Sequence, residues 1–244
     1  MFVEVLSLFK AQRIPFAVSG AFALHQHTGI WRDTKDLDLF LAQSEVPCAL
    51  AALSSAGFET TVADPVWLYK AHRGDYFVDL ITGMSNAAIS VRHDWIDHAS
   101  SAEILGIPVK VLAAEELIAS KLFVSRRERF DGADIVHVIH GTSGKLDWNR
   151  ILHLIGEHWM VLLWALVLYQ YIYPAHSQFV PRTLWTDLLS RLHHELDHPN
   201  PHAAFHGSLI DDKMFAIDVT EWGMANLNEQ LRNQRDPVRG KEEG

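Results

Sequence analysis

Residues 32–42 read RDTKDLDLFLA, an apolar run into which two carboxylates, Asp36 and Asp38, are set two positions apart. Alternation of this kind is a strand signature. Successive strand side chains point to opposite faces, so the two acids share one face while Leu37, Leu39 and Leu41 share the other. Residues so spaced lie about 7 Å apart along a strand. Two bare carboxylates in that position repel each other and resist removal from water. Two settings relieve the cost: an edge strand whose polar face lies in water, or a divalent cation held by both acids.

The neighbouring segments favour the cation. Upstream, PFAVSG (15–20) reads as a short buried strand ending in a turn, and AFALHQHTG (21–29) as a helix closed by Gly29. A small-residue turn at a helix N-terminus, here Ser19-Gly20, presents backbone N–H groups to a phosphate. Downstream, SEVPCALAALSSAGF predicts a helix with Ser44 as N-cap and Pro47 in the first turn. FETTVA, VWLYKAHR and YFVDLITG are strand-like, and AEILGIPVKVL predicts a hairpin around Gly106 and Pro108. Asp79, within YFVDLITG, supplies a third acid. From Ala113 onward the spacing turns helical, with breaks at Gly132, Gly141 and Pro174. The pattern predicts an α+β chain: a small mixed sheet with flanking helices over 1–112, an all-helical region over 113–235 and a disordered tail over 236–244.

Composition narrows the function classes. The 244 residues suffice for one large domain or two smaller ones, and 48% apolar with 21% charged is ordinary for a globular chain. A formal charge of −9 argues against a broad nucleic-acid-binding surface, although it leaves room for a local basic patch. The single cysteine, Cys48, excludes an internal disulfide framework and fits a reducing, cytoplasmic setting. The N-terminus carries Glu4 and no basic stretch, unlike a signal peptide. WMVLLWALVLYQYIY (159–173) is uniformly apolar, but it is shorter than the roughly 20 residues of a membrane span and predicts a core helix instead.

A second motif competes for attention. His194-Glu195-Leu196-Asp197-His198 matches the H-E-x-x-H pattern of zinc peptidases, which needs both histidines one turn apart on a helix. Pro199 follows at once, so the second ligand falls on a helix end. The spacing therefore counts against a peptidase and leaves open a simpler metal site among His193, His194, His198, His202 and His206.

The order VSGAFALHQHTGIWRDTKDLDLFL followed by FVDLITG resembles the polymerase-beta-type nucleotidyltransferase superfamily, whose signature is a Gly-Gly or Gly-Ser turn, D-x-D or D-x-E on a strand, and a further acid. Within it, R-x-T-K-D-L-D-L and EELIASKLFVSRRERFDGADIVHVI are similar to AbiEii-like abortive-infection toxins and related uncharacterised nucleotidyltransferases. Those proteins pair a minimal catalytic domain with a helical C-terminal region. The resemblance implies an enzyme that moves a nucleoside monophosphate from a nucleoside triphosphate to an acceptor hydroxyl, on an RNA end or a protein, with Mg²⁺ or Mn²⁺ as cofactor. It also implies a toxin-like role with an antitoxin partner, in the cytoplasm and away from membranes.

By position, the resemblance assigns Asp36, Asp38 and Asp79 to the metal and to catalysis, Asp79 also serving as base. Ser19 and Gly20 would hold the triphosphate, and Arg32, Thr34 and Lys35 would contact phosphate or acceptor. Lys121 is assigned either to nucleotide contact or to a solvated helix face, and Asp134 matches a later acid. Arg126, Arg127 and Arg129, with Lys70 and Arg73, form a cationic set that either attracts an RNA end or lies on a solvated face. The turn here reads Ser-Gly, which departs from the signature and keeps an inactive nucleotide- or partner-binding module as the alternative. The enzymatic expectation requires Asp79 to point with Asp36 and Asp38, in a pocket that no salt bridge already fills.

Overall fold

In a computed structural model, residues 1–236 are described. Helix α1 (Phe2–Ala11) buries Val5, Leu6 and Phe9 on one face. After it come β1 (Ala17–Val18), α2 (Gly20–Thr28) and β2 (Asp36–Phe40), the strand that carries the paired acids. Then follow α3 (Val46–Ser55), β3 (Glu59–Asp64), β4 (Leu68–Arg73), β5 (Tyr76–Ile81), α4 (His93–His98), β6 (Ser100–Ile104), β7 (Ile107–Val111) and α5 (Ala114–Lys121). The seven strands form one mixed sheet in the order β3-β4-β5-β2-β1-β7-β6. β2 runs parallel to β5 and β1 parallel to β7, whereas the other neighbours are antiparallel.

Alternation along β2 works as expected: Leu37, Leu39 and Leu41 are fully buried, Asp36 is exposed and Asp38 is half-buried. The hairpin between β6 and β7 turns on Leu105 and Gly106, both at positive φ, which is the geometry of a two-residue type I′ connection. Gly29 closes α2 in the left-handed conformation (φ 73°), as its position predicted. The entry to α3 differs in detail. Gln43–Glu45 forms a 3₁₀ turn, the helix starts at Val46 with Glu45 at its N-cap, and Ser44 Oγ lies instead near the Glu45 and His93 side chains.

The chain divides into two compact units, Met1–Leu117 joined by the chain from Leu231, and Ile118–Gln230, so the division falls inside α5 where the spacing had put a boundary near 112. The first unit gains its last segment through Arg232, whose guanidinium donates to both Asp64 oxygens (3.1 and 2.9 Å) and to the Ser85 carbonyl (2.8 Å). Residues 237–244, most of the expected disordered tail, lie outside the described residues.

The second unit is mostly helical, as predicted, with one short addition. A two-stranded hairpin, β8 (Ser125–Arg126) and β9 (Arg129–Phe130), precedes α6 (Gly132–Gly141), α7 (Trp148–Ile155), α8 (Trp159–Ile172), α9 (Arg182–Asp197), α10 (Gly207–Ile210) and α11 (Ala216–Thr220), and α12 (Leu227–Arg235) begins in this unit and ends in the first. With a 3₁₀ turn at Gly156–His158, the helical stretch Trp148–Ile172 is 25 residues long and holds an 18-residue window with a mean hydropathy of 1.8, long and apolar enough by length and composition to cross a membrane. Helix α8 buries Leu162, Leu163, Leu166 and Tyr169 and leaves Trp164, Val167 and Tyr171 exposed.

The two faces of β2 are separable by substitution. Leu39→Ala is expected to lower unfolding stability by about 3 kcal/mol in urea titration, because it opens a cavity in a fully buried layer. Asp36→Asn on the other face is expected to stay within about 0.5 kcal/mol of the parent.

Candidate active site

The site is built by strand register. In the parallel pairing of β2 with β5, Asp38 lies directly beside Asp79 and Asp36 beside Phe77. Adjacent strands are about 4.8 Å apart, so the side chains of Asp38 and Asp79 leave the same face as neighbours. Asp36 projects from that face one pleat earlier. Thr34 fixes the start of the strand, since its hydroxyl accepts from the Asp36 amide and donates to the Asp36 carbonyl, both at 3.1 Å. The Lys35 carbonyl accepts from the Phe77 amide (3.1 Å), which begins the β2–β5 ladder one residue before Asp36.

The Ser19-Gly20 turn sits against the second acid. The buried Ser19 donates its amide to the Asp38 carbonyl (2.8 Å) and precedes α2 as its N-cap. Gly20 follows with φ of +58°, and a Cβ added there would overlap the Asp38 carboxylate. Glycine is therefore required twice at this position, once by the backbone conformation and once by the close approach of the acid. The first-turn amides of α2 and its dipole lie beside Asp38, where they favour negative charge. Arg32 and Lys35 are exposed on the chain entering β2.

Asp79 is not an open ligand. Lys70 lies opposite it in the antiparallel β4–β5 pair, and the Lys70 ammonium donates to both carboxylate oxygens at 2.7 and 2.9 Å. The Asp79 side chain is 14% exposed and that of Lys70 33%. Lys70 also stands over the Phe77 ring, 5.7 Å from its centroid. The face thus carries a row of Lys70, Asp79 and Asp38, with Asp36 beyond. The three acids leave the same face, but Asp79 already has a cation, and the condition of a pocket without a salt bridge fails there. Among the described residues, Asp36, Asp38 and Asp79 are not a trio whose ligand atoms all fall within 4.8 Å of one another; His98, Glu115 and Glu116 are. That second group joins the end of α4 to the start of α5, and its nitrogen and oxygen donors have the chemistry to hold a divalent ion. It has no signature in the sequence, because its members come together only through tertiary packing.

Lys121 and Asp134 belong to the second unit. The Lys121 ammonium is buried and contacts Asp131 (2.9 Å) and Asp134 (2.8 Å), so the solvated helix face is corrected to a buried ion pair. Arg129 donates two further hydrogen bonds to Asp131 at 2.9 Å. Burial pushes the Asp131 carboxyl up, but the Arg129 hydrogen bonds and the charge of Lys121 outweigh it and hold the group below the ordinary carboxylate range. Three members of the expected cationic set are likewise engaged one by one. Arg129 serves Asp131, Lys70 serves Asp79, and Arg73 pairs with Glu4 (2.7 Å) while lying over Phe58. In the histidine-rich segment, α9 ends at Asp197 and His198 is its C-cap, its Nδ1 3.1 Å from the His194 carbonyl. No three ligand atoms converge there among the described residues.

Residues 1–158 match the family described as "Nucleotidyl transferase of unknown function (DUF2204)". The match covers more than half of the chain, which therefore belongs to this family of nucleotidyltransferases. Among curated proteins, none matches the sequence. Among solved structures, the antibiotic-resistance factor ANT(2'')-Ia in solution is similar at 16% identity over 70% of this chain and 95% of its own, with a TM-score of 0.44. The lincosamide antibiotic adenylyltransferase LnuA with lincomycin bound is similar at 14% identity over 56% and 93%, with a TM-score of 0.40. ANT(2")-Ia in complex with adenylyl-2"-tobramycin gives 15% identity over 70% and 96%, with a TM-score of 0.42.

Two substitutions test this geometry. Gly20→Ala is expected to lower stability by about 1–2 kcal/mol in urea titration, because the left-handed backbone conformation and the overlap with Asp38 both oppose it. Asp131→Asn leaves the buried Lys121 charge with one partner fewer and is expected to cost about 3 kcal/mol near pH 7. Because the folded-state pKa of Asp131 is depressed, its contribution is complete above the unfolded carboxylate value of about 3.9 and fades as pH falls through the lower folded value. The stability gap between parent and variant should therefore close in denaturant titrations below about pH 4.

Proposed function

We propose that the first unit transfers a nucleoside monophosphate from a nucleoside triphosphate to an acceptor hydroxyl and releases pyrophosphate. The single observation that carries this reading is the β2–β5 register, with Asp38 beside Asp79 on the face that Gly20 approaches. The donor set fits a hard divalent ion: Asp36 and Asp38 are paired carboxylates, one exposed and one half-buried, and oxygen-only ligation suits Mg²⁺ or Mn²⁺. Such an ion supplies charge neutralisation of the triphosphate and of the departing pyrophosphate.

The chain's own residues do the rest. Asp36 and Asp38 hold the cation, and the amides of the turn beginning at Ser19 and Gly20 receive phosphate at the start of α2. Arg32, Thr34 and Lys35 lie on the approach to β2, with the two cations placed to meet phosphate or acceptor. Asp79 takes the proton of the acceptor hydroxyl as its oxygen attacks the α-phosphorus and the α–β phosphoanhydride bond breaks. Positioning and charge stabilisation account for the acceleration, without a covalent enzyme intermediate.

The acceptor we favour is an RNA end or a protein hydroxyl, in a toxin-like role that a partner antitoxin restrains. The resemblance of R-x-T-K-D-L-D-L and of the segment from Glu115 to Ile139 to abortive-infection toxins supports it. The lone Cys48 is in keeping with a cytoplasmic setting.

The test is incubation of the full chain with each α-labelled nucleoside triphosphate, Mg²⁺ or Mn²⁺, and total RNA and protein, followed by separation of labelled products. Transfer by the parent, reduced at least about a hundredfold in Asp36→Asn and Asp38→Asn, is the expected result. Nucleotide binding without transfer in any combination would leave the inactive binding module in its place.

A further inference from the structure

We propose that the outer face of α8 is a dimer interface, on which a second copy of this chain packs its own α8 antiparallel. All of its residues lie in the second unit, and the interface stands apart from the nucleotidyl transfer proposed above.

Helix α8 carries no charged side chain along its 14 residues. Its inner face is used by the fold, where Leu162, Leu163, Leu166 and Tyr169 are buried. On the outer face, where a surface helix carries polar residues, it presents Met160, Trp164, Val167 and Tyr171 to solvent, the last at 84% exposure. Intervals of four, three and four residues keep these side chains on one stripe about 16 Å long, the spacing of a seam between paired helices. Ile172 extends the stripe at one end. The exposed Phe130 ring, its centroid 6.5 Å from that of Trp164, widens it at the middle.

Sequence symmetry, area and charge favour a second copy as the occupant. Intervals of four, three and four read the same in reverse, so an antiparallel α8 related by a two-fold axis meets the stripe layer by layer. Met160 then lies against the partner's Tyr171, and Trp164 against the partner's Val167. Each layer sets an aromatic ring against a smaller aliphatic side chain, the alternation that fills an interface without voids, and no charge is buried. At their exposures these six residues offer roughly 600 Å² per chain, the lower end of what a stable interface takes from each partner. A lipid surface suits the stripe less well. Helices that lie on membranes carry Lys or Arg beside the apolar face, whereas Glu157 and His158 precede α8 and the chain's formal charge is −9.

The test is the oligomeric state of the full chain, measured by sedimentation velocity over a concentration series. The parent should sediment as a concentration-dependent dimer. Val167→Glu, which puts a carboxylate into both central layers, should raise the dimer dissociation constant at least about a hundredfold. Tyr171→Glu, at the most exposed position, should raise it about tenfold or more, so a folding defect in one variant leaves the other to decide. Cross-linking reads the register in a Cys48→Ser background, because Cys48 is exposed. Chains carrying Met160→Cys and chains carrying Tyr171→Cys should be joined by a short bismaleimide when mixed, and neither should be joined to itself.

A parent that is monomeric at every concentration, a dimer unaffected by both Glu variants, or self-linking of either cysteine variant in preference to the mixture overturns the inference. So does a monomer that co-sediments with phosphatidylcholine–phosphatidylglycerol vesicles and loses them in Val167→Glu, a result that assigns the stripe to a lipid surface instead. None of these outcomes touches the transferase reading, which is decided by label transfer and by Asp36 and Asp38.

Discussion

The parallel pairing of β2 with β5 is the contact on which the site depends. One residue of slip in that register would turn Asp79 to the buried face and leave the D-x-D pair without its neighbour. The register is well determined because Leu37 and Leu39 pair with Val78 and Leu80 on the opposite face, and all four are fully buried. A slip would move those four apolar side chains toward the polar face and the carboxylates into the core. The hydrophobic layer thus specifies where the acids stand, although it takes no part in their chemistry.

Charge on the acid face is balanced from inside the sheet. Three carboxylates within two adjacent strands are costly, and the protein meets part of that cost with Lys70 and part with the N-terminus of α2 behind Gly20. The second unit uses the same device for a different end. There Asp131 and Asp134 gather around Lys121, with Arg129 outside, in a buried ion-pair group that ties the start of α6 to α5. These two acid groups thus come with a cation, and the candidate site differs in leaving Asp36 exposed.

Much of this was legible in the residues. The alternation in DLDLF announced the two faces of β2, and Gly29 and Gly106 announced a helix end and a hairpin because glycine accepts positive φ, whereas Leu105 at positive φ and Pro108 inside β7 were not legible. Even the Lys70–Asp79 pair was within reach. A two-residue Gly74-Asp75 turn pairs Arg73 with Tyr76, and three steps back along each strand bring Lys70 opposite Asp79. Lys121 could not be read this way, because its exposure depends on whether the acids of the next helix fold over it. The H-E-x-x-H match misled for the converse reason, since a motif of spacing says nothing about whether a helix end can hold both ligands.

By itself, the sequence determined the local facts: which segments are strands, which side chains share a face, and where the chain turns. These follow from alternation and from glycine's conformational freedom, both set within a few residues. The tertiary structure alone decided that Asp38 has Asp79 as its neighbour, that the chain from Leu231 returns to the sheet through Arg232 and Asp64, and that His98 meets Glu115 and Glu116. Those partners lie well beyond the reach of any one element, and nothing short of packing the whole apolar layer selects one pairing over the others.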